Sequence, residues 1–125
     1  MKQLFDNVSI KTSKMVTNSY STSFSLGIKF LHKQFQDPIY SIYGFVRFAD
    51  EIVDTFHDFN KKELLDEFKL ETYRAIDRGI SLNPVLNSFQ KVVNDYKIDL
   101  HLIETFLKSM EMDLFYSEEL SRLFE

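Results

Sequence analysis

Tyr43-Gly44-Phe45-Val46-Arg47-Phe48-Ala49-Asp50-Glu51-Ile52-Val53-Asp54 alternates polar and apolar residues with the period of an α-helix. At about 100° per residue, Tyr43, Arg47, Asp50 and Asp54 fall in one narrow stripe. Phe45, Val46, Phe48, Ala49, Ile52, Val53 and Phe56 fill the opposite arc. The stretch is therefore an amphipathic helix that buries a wide apolar face. Its polar stripe carries two carboxylates one turn apart, with a guanidinium one turn before them. Such a set suits a divalent cation and a phosphorylated ligand. Carboxylates hold Mg²⁺ while it keeps waters and shares substrate phosphates, and Arg clamps phosphate oxygens bidentately. A plainer reading stands beside this one: a solvated helix face closed by an i,i+3 pair between Arg47 and Asp50. The spacing of the carboxylates alone does not choose between them.

Outward from this helix, the chain reads as helical throughout. Three Gly and two Pro in 125 residues are too few for a turn-rich β protein. Residues 4–16 predict a weakly amphipathic helix, and the Ser/Thr-rich run 17–26 predicts caps and breaks, because short hydroxyl side chains compete for the backbone. A helix then continues or restarts through Leu31. Asp37-Pro38 reads as N-cap and first helical position of the motif helix, which runs to about residue 57. Residues 61–79 form a charged helix stopped by Gly79, and Asn83-Pro84 opens another over 84–96. Asp99 caps a helix to about residue 116, and Ser117-Glu118-Glu119 starts a short final one. Six or so helices with short connections make an all-α bundle, one domain over residues 1–125.

Composition narrows the partners. Hydrophobic content of 44% and charged content of 27% are those of a soluble globular protein. A net charge of −4 argues against nucleic acid as a partner. The absence of Cys removes disulfides, thiolate metal sites and Cys nucleophiles, and fits a reducing, cytoplasmic location. No apolar run is long enough to span a bilayer, and the polar first 30 residues hold no secretory signal. The 13 Phe residues are expected mainly in the core.

The helix from residue 99 carries a second carboxylate of interest. Its apolar arc holds Leu102, Ile103, Phe106, Leu107, Met110 and Leu114, and Glu104, Lys108 and Glu111 face solvent. Asp113 projects between Leu102 and Phe106, so it is expected to be buried with a partner. His32, His57 and His101 read as surface residues. Asp54-x-x-His57 with His101-x-x-Glu104 has the spacing of a di-iron bundle, but His101 and Glu104 lie on a polar face.

The string Tyr43-x-x-x-Arg47-x-x-Asp50-Glu51-x-x-Asp54 resembles the first aspartate-rich motif of the squalene/phytoene synthase family. Upstream, Ser21-Thr22-Ser23-Phe24-Ser25 resembles that family's Ser-x-Ser-Phe segment. Downstream, Met110-Glu111-Met112-Asp113-Leu114 resembles its Met-Asp-Leu segment, followed by the Tyr-containing stretch from Tyr116. The resemblance implies an isoprenoid-synthase-type helical bundle whose enzymes join two prenyl diphosphates, farnesyl or geranylgeranyl, head-to-head with loss of diphosphate. It implies Mg²⁺ as cofactor, bound by Asp50 and Asp54, and catalytic diphosphate contacts from Arg47 and Tyr43. It places Ser21 and Ser23 beside the diphosphate, with the Phe-rich faces lining a tunnel for the prenyl tails. Lipidic substrates imply a peripheral association with membranes.

The family's second aspartate-rich motif lies beyond the region matching residue 120, and family members are more than twice as long. The expectation is thus an N-terminal half-bundle with half of the metal site, inactive by itself. Exposed apolar faces on such a half-bundle predict a homo-oligomer. A non-catalytic helical interaction domain is the alternative.

Overall fold

The computed structural model describes residues 1–124 and contains six helices, with no strand among the described residues. They are α1 (Lys2–Tyr20), α2 (Thr22–Lys29), α3 (Lys33–Asp54), α4 (Lys61–Arg78), α5 (Pro84–Tyr96) and α6 (Leu100–Leu123). The expected all-α architecture is what forms.

Several helix ends follow local chemistry. Asn60 caps α4 by accepting from the Glu63 amide, and Gly79 ends it in the left-handed region at φ 74°. Asn83 accepts from the Val85 and Leu86 amides while Pro84 occupies the first position of α5. Asp99 caps α6 through the His101 amide at 2.9 Å.

Three boundaries differ from expectation. α1 runs on through Thr17 to Tyr20, because its hydroxyls bond backward within the helix instead of breaking it. Ser9, Thr12 and Thr17 donate to the carbonyls of Phe5, Val8 and Ser13 at 2.8–2.9 Å. The chain breaks at Ser21 alone, whose extended backbone opens α2. The start of α3 lies at Lys33, not at Asp37-Pro38. His32 caps it through Nδ1, and the Gln36 amide side chain donates to the Lys29 and Leu31 carbonyls, pinning the turn ahead of the helix. Pro38 thus sits inside α3, near enough to the N-terminus to be tolerated. Asp37 pairs with Lys14 of α1 at 3.1 Å. Finally, α6 continues through Ser117 to Leu123, so no separate last helix forms.

Phe45 of α3 sits at the centre of the core. Its ring lies 3.9 Å from Phe89 and nearly parallel to it, with Phe68 at 5.4 Å and Phe106 at 5.5 Å. Around this stack pack Ala49, Ile52, Leu65, Leu86, Val93, Ile103, Leu107 and other apolar residues of α3 to α6. On α6, Leu102 is exposed, not part of the buried arc, and Glu111 reaches Lys69 of α4 at 3.0 Å instead of facing solvent.

α1 joins the bundle differently. Its buried residues are Ser9, Ser13, Val16 and Thr17, mostly small and polar. Ser13 Oγ bonds Ser88 Oγ at 2.6 Å, and Asn87 Nδ2 donates to Ser9 Oγ and to Asp6. Here α3 contributes Gly44, and a Cβ added there would lie 2.9 Å from Ser13 Oγ. The glycine admits the close approach of two helix backbones.

Candidate functional site

α3 presents Tyr43, Arg47, Asp50 and Asp54 on one face, the first three half-buried and Asp54 exposed. The stripe forms as the helical period requires. Its internal pairing does not follow the i,i+3 reading. Arg47 bonds Glu51 at 3.1 Å, because Glu, one methylene longer and one turn on, meets the guanidinium in the usual i,i+4 geometry. The same guanidinium lies 4.9 Å from the Tyr20 ring centroid, a cation–π contact supplied by the end of α1. Arg47 Nε is buried and has no hydrogen-bond partner. Among the described residues, neither Asp50 nor Asp54 forms an ion pair.

Tyr43 is braced by Phe24 of α2, the two rings stacked at 4.8 Å. Ser21, next to Tyr20, spends its acceptor on the Phe24 amide as the N-cap of α2. Ser23 lies exposed in the first turn of α2, and Ser25 is buried against Asn18. Tyr20, Phe24 and Glu51 were not given roles by the sequence pattern. Tyr20 and Phe24 come from other helices, and Glu51 stood in the motif without a partner to define it.

Burial pushes the Asp50 carboxyl above its usual value, and the charges of Asp54 and Asp113 add to this against the opposing pull of Arg47. Asp113 of α6 therefore lies close enough for Asp50 to feel it. It is exposed, not buried as expected, because α6 turns Ile103, Leu107 and Leu114 inward and carries Asp113 around to solvent. The raised Asp50 value fixes the sign of a pH effect. The folded state holds this proton more tightly than the unfolded chain, so the Asp50 contribution destabilises at neutral pH. That penalty is relieved as pH falls through the raised value toward the usual carboxylate range. Asp50→Asn is therefore expected to raise the melting temperature of the ligand-free chain at pH 7. The gain is expected to shrink as the pH is lowered toward the usual carboxylate range, as measured by thermal unfolding followed by circular dichroism.

His32, His57 and His101 are exposed, as expected. Among the described residues no three Asp, Glu or His side chains converge to hold a metal ion by themselves, so the di-iron spacing forms no site. Asp50 and Asp54 offer two carboxylates from adjacent turns. That donor set suits Mg²⁺ in the company of water and phosphate oxygens, and does not suit an all-protein cage.

Beside the Arg47–Glu51 pair lies a cavity of about 420 Å³ walled by Phe48, Ile52, Phe56, Leu64 and Phe68, with Tyr20 and Glu51 among its lining residues. The phenylalanines divide, and not mainly into the core as expected, since Phe24, Phe30, Phe35, Phe59, Phe115 and Phe124 are exposed. Phe45, Phe89 and Phe106 fill the core, while Phe48 and Phe56 face this space and Phe68 touches both. Among the described residues no helix is long and apolar enough to cross a membrane.

The squalene/phytoene synthase family model matches residues 17–120, a span that includes every residue of this site. No curated protein matches the chain.

Proposed function

The chain belongs to the squalene/phytoene synthase family, whose fold is all-α and whose function is of the prenyltransferase type, and from this we propose that the α3 stripe binds the diphosphate of a prenyl diphosphate with Mg²⁺. The reaction served is head-to-head joining of two such molecules. The observation that supports this most is the Arg47 environment: a buried Nε–H left without an acceptor, with Asp50 and Asp54, which form no ion pair among the described residues, on the same helix face. An Mg²⁺-diphosphate satisfies both at once.

In this reading Asp50 and Asp54 would hold the ion. When bound, Mg²⁺ supplies positive charge that lowers the cost of releasing diphosphate from an allylic carbon. Arg47 offers its free N–H to a phosphate oxygen, and Tyr20 and Glu51 keep the guanidinium flat and aimed. Tyr43 offers its hydroxyl, with its ring fixed by Phe24. Ser21 still has its hydroxyl proton to donate, and Ser23 stands in the same turn. The cavity walled by Phe48, Ile52 and Phe56 meets the site only along its Tyr20 and Glu51 edge, and Glu67, Glu71 and Asn83 also line it. Its apolar wall offers room for part of a prenyl tail, and aromatic faces tolerate a neighbouring carbocation. Residues 1–125 contain one aspartate-rich motif. Clamping a diphosphate with several ions draws ligands from two sides, so these residues by themselves are expected to bind substrate more readily than to turn it over. Lipidic substrates favour a peripheral contact with membranes.

A second reading, a non-catalytic domain that self-associates, is favoured by one observation. Leu102, Met112, Tyr116, Leu120 and Leu123 run exposed along α6. The two readings separate in a titration of farnesyl thiodiphosphate by isothermal calorimetry, with and without Mg²⁺. Heat that requires the ion is expected from the binding site. A folded chain that gives none leaves the interaction domain.

A further inference from the structure

We propose that Lys61, the first residue of α4, is a positioning residue for the metal-binding end of α3. This rests on the reading of Asp50 and Asp54 as the Mg²⁺-diphosphate site.

Lys61 stands where a lysine is doubly disfavoured. It is only 8% exposed, although an ammonium is seldom buried unless paired. It also occupies the positive end of its own helix dipole. Something specific must offset both. Its Nζ donates to the Val53 carbonyl at 2.6 Å. The last four carbonyls of a helix have no partner within it. At the end of α3 the Thr55 amide takes the Glu51 carbonyl, and Val53 is buried, 6% exposed, so its carbonyl has little access to water. Lys61 meets that orphan with a charge-assisted bond at the negative end of the α3 dipole.

The bond acts on Asp54 through the backbone. The Val53 carbonyl and the Asp54 N–H belong to one planar peptide unit. Holding the carbonyl sets the plane of that unit and so the direction in which Asp54 leaves the helix. Asp54 ends α3, where helices fray, and it makes no ion pair of its own. The Asn60 cap fixes the backbone on the other side, so the Lys61 stem reaches back from a firm base.

The test compares Lys61→Met, which keeps the stem and loses the donor, with Lys61→Arg, which keeps a cationic donor. Calorimetric titration of farnesyl thiodiphosphate at a series of Mg²⁺ concentrations is read alongside amide hydrogen exchange at Asp54 and Thr55. Lys61→Met is expected to need about tenfold more Mg²⁺ for half-saturation, the scale on which outer-shell partners of metal ligands act. Exchange at Asp54 and Thr55 is expected to quicken with α5 and α6 unchanged, and Lys61→Arg is expected to restore both. An unaltered Mg²⁺ dependence in a folded Lys61→Met, or an equal loss of affinity with and without the ion, would overturn the positioning role and leave a plain helix cap. Should Lys61→Met fail to fold, Lys61→Gln, whose shorter neutral amide offers only a weaker donor, is expected to shift the Mg²⁺ dependence and the exchange at Asp54 and Thr55 in the same directions to a smaller degree, and no change in either would overturn the role. If the unmodified chain shows no Mg²⁺-dependent binding, the functional reading itself fails, and the positioning role fails with it.

Discussion

Replacing Asp50 and Asp54 together by Asn is expected to abolish the Mg²⁺-dependent stabilisation that farnesyl thiodiphosphate gives the unmodified chain. A ligand at about 100 times its dissociation constant stabilises the folded state by about 2.7 kcal/mol, which for a chain of this size raises the melting temperature by roughly 10 °C. That shift should need both the ion and the diphosphate, and neither should move the variant. The comparison is clean because the substitutions do not remove a structural bond. Neither carboxylate forms an ion pair among the described residues, and Asp50 is held above its usual protonation range by burial and by its acidic neighbours. The ligand-free variant is thus expected to melt no lower than the parent. A ligand shift that survives in it would move the site away from α3.

Phe45→Ala is expected to remove about 4 kcal/mol of stability, measured by urea unfolding. The ring is 2% exposed and touches aromatic partners on three other helices, Phe68, Phe89 and Phe106. Four elements converge there, so the surroundings cannot collapse into the space without moving helices. Domains of this kind carry about 5–15 kcal/mol in total, so the loss takes a large part of the margin. A change below about 1 kcal/mol would mean that the core refills the gap and that the stack is looser than its 3.9 Å centroid spacing indicates.

The parts of this molecule that were readable in the sequence are those fixed by neighbours along the chain. Gly79, Asn83-Pro84 and Asp99 act on backbone groups within one turn, and their helix ends fall where expected. The stripe of α3 and the burial of Phe45, Ala49 and Ile52 follow from period alone. What could not be read was decided across the fold. α3 starts early because Gln36 finds carbonyls of the preceding turn. α1 runs into the Ser/Thr-rich segment because Thr17 bonds backward, while Ser9 and Ser13 upstream meet Asn87 and Ser88 of α5. Asp113 depended on how far α6 rotates against the core, a matter of angle that its spacing does not settle. Arg47 was legible as a site residue, but its partners were not: one contact comes from Tyr20, and the Glu51 pair won over Asp50 by side-chain reach.

The hydroxyl and amide contacts of α1 bear on the order in which the chain assembles. Ser13 and Ser88 are 75 positions apart, and Asp6 and Asn87 are 81 apart. Bringing such distant segments together costs loop entropy, and directional bonds return little until both sides are in place. The aromatic stack among α3 to α6 also closes long loops, with Phe45 23, 44 and 61 positions from Phe68, Phe89 and Phe106, but its rings attract before they are aligned. α1 is thus expected to dock after the other helices have condensed. Substituting Val16 by Ala, for instance, should quicken unfolding and leave the folding rate almost unchanged in stopped-flow measurements. Because Tyr20 and Ser21 travel with α1, the grip around Arg47 would be completed in the last step of folding, and the chain could not hold its ligand before it is whole.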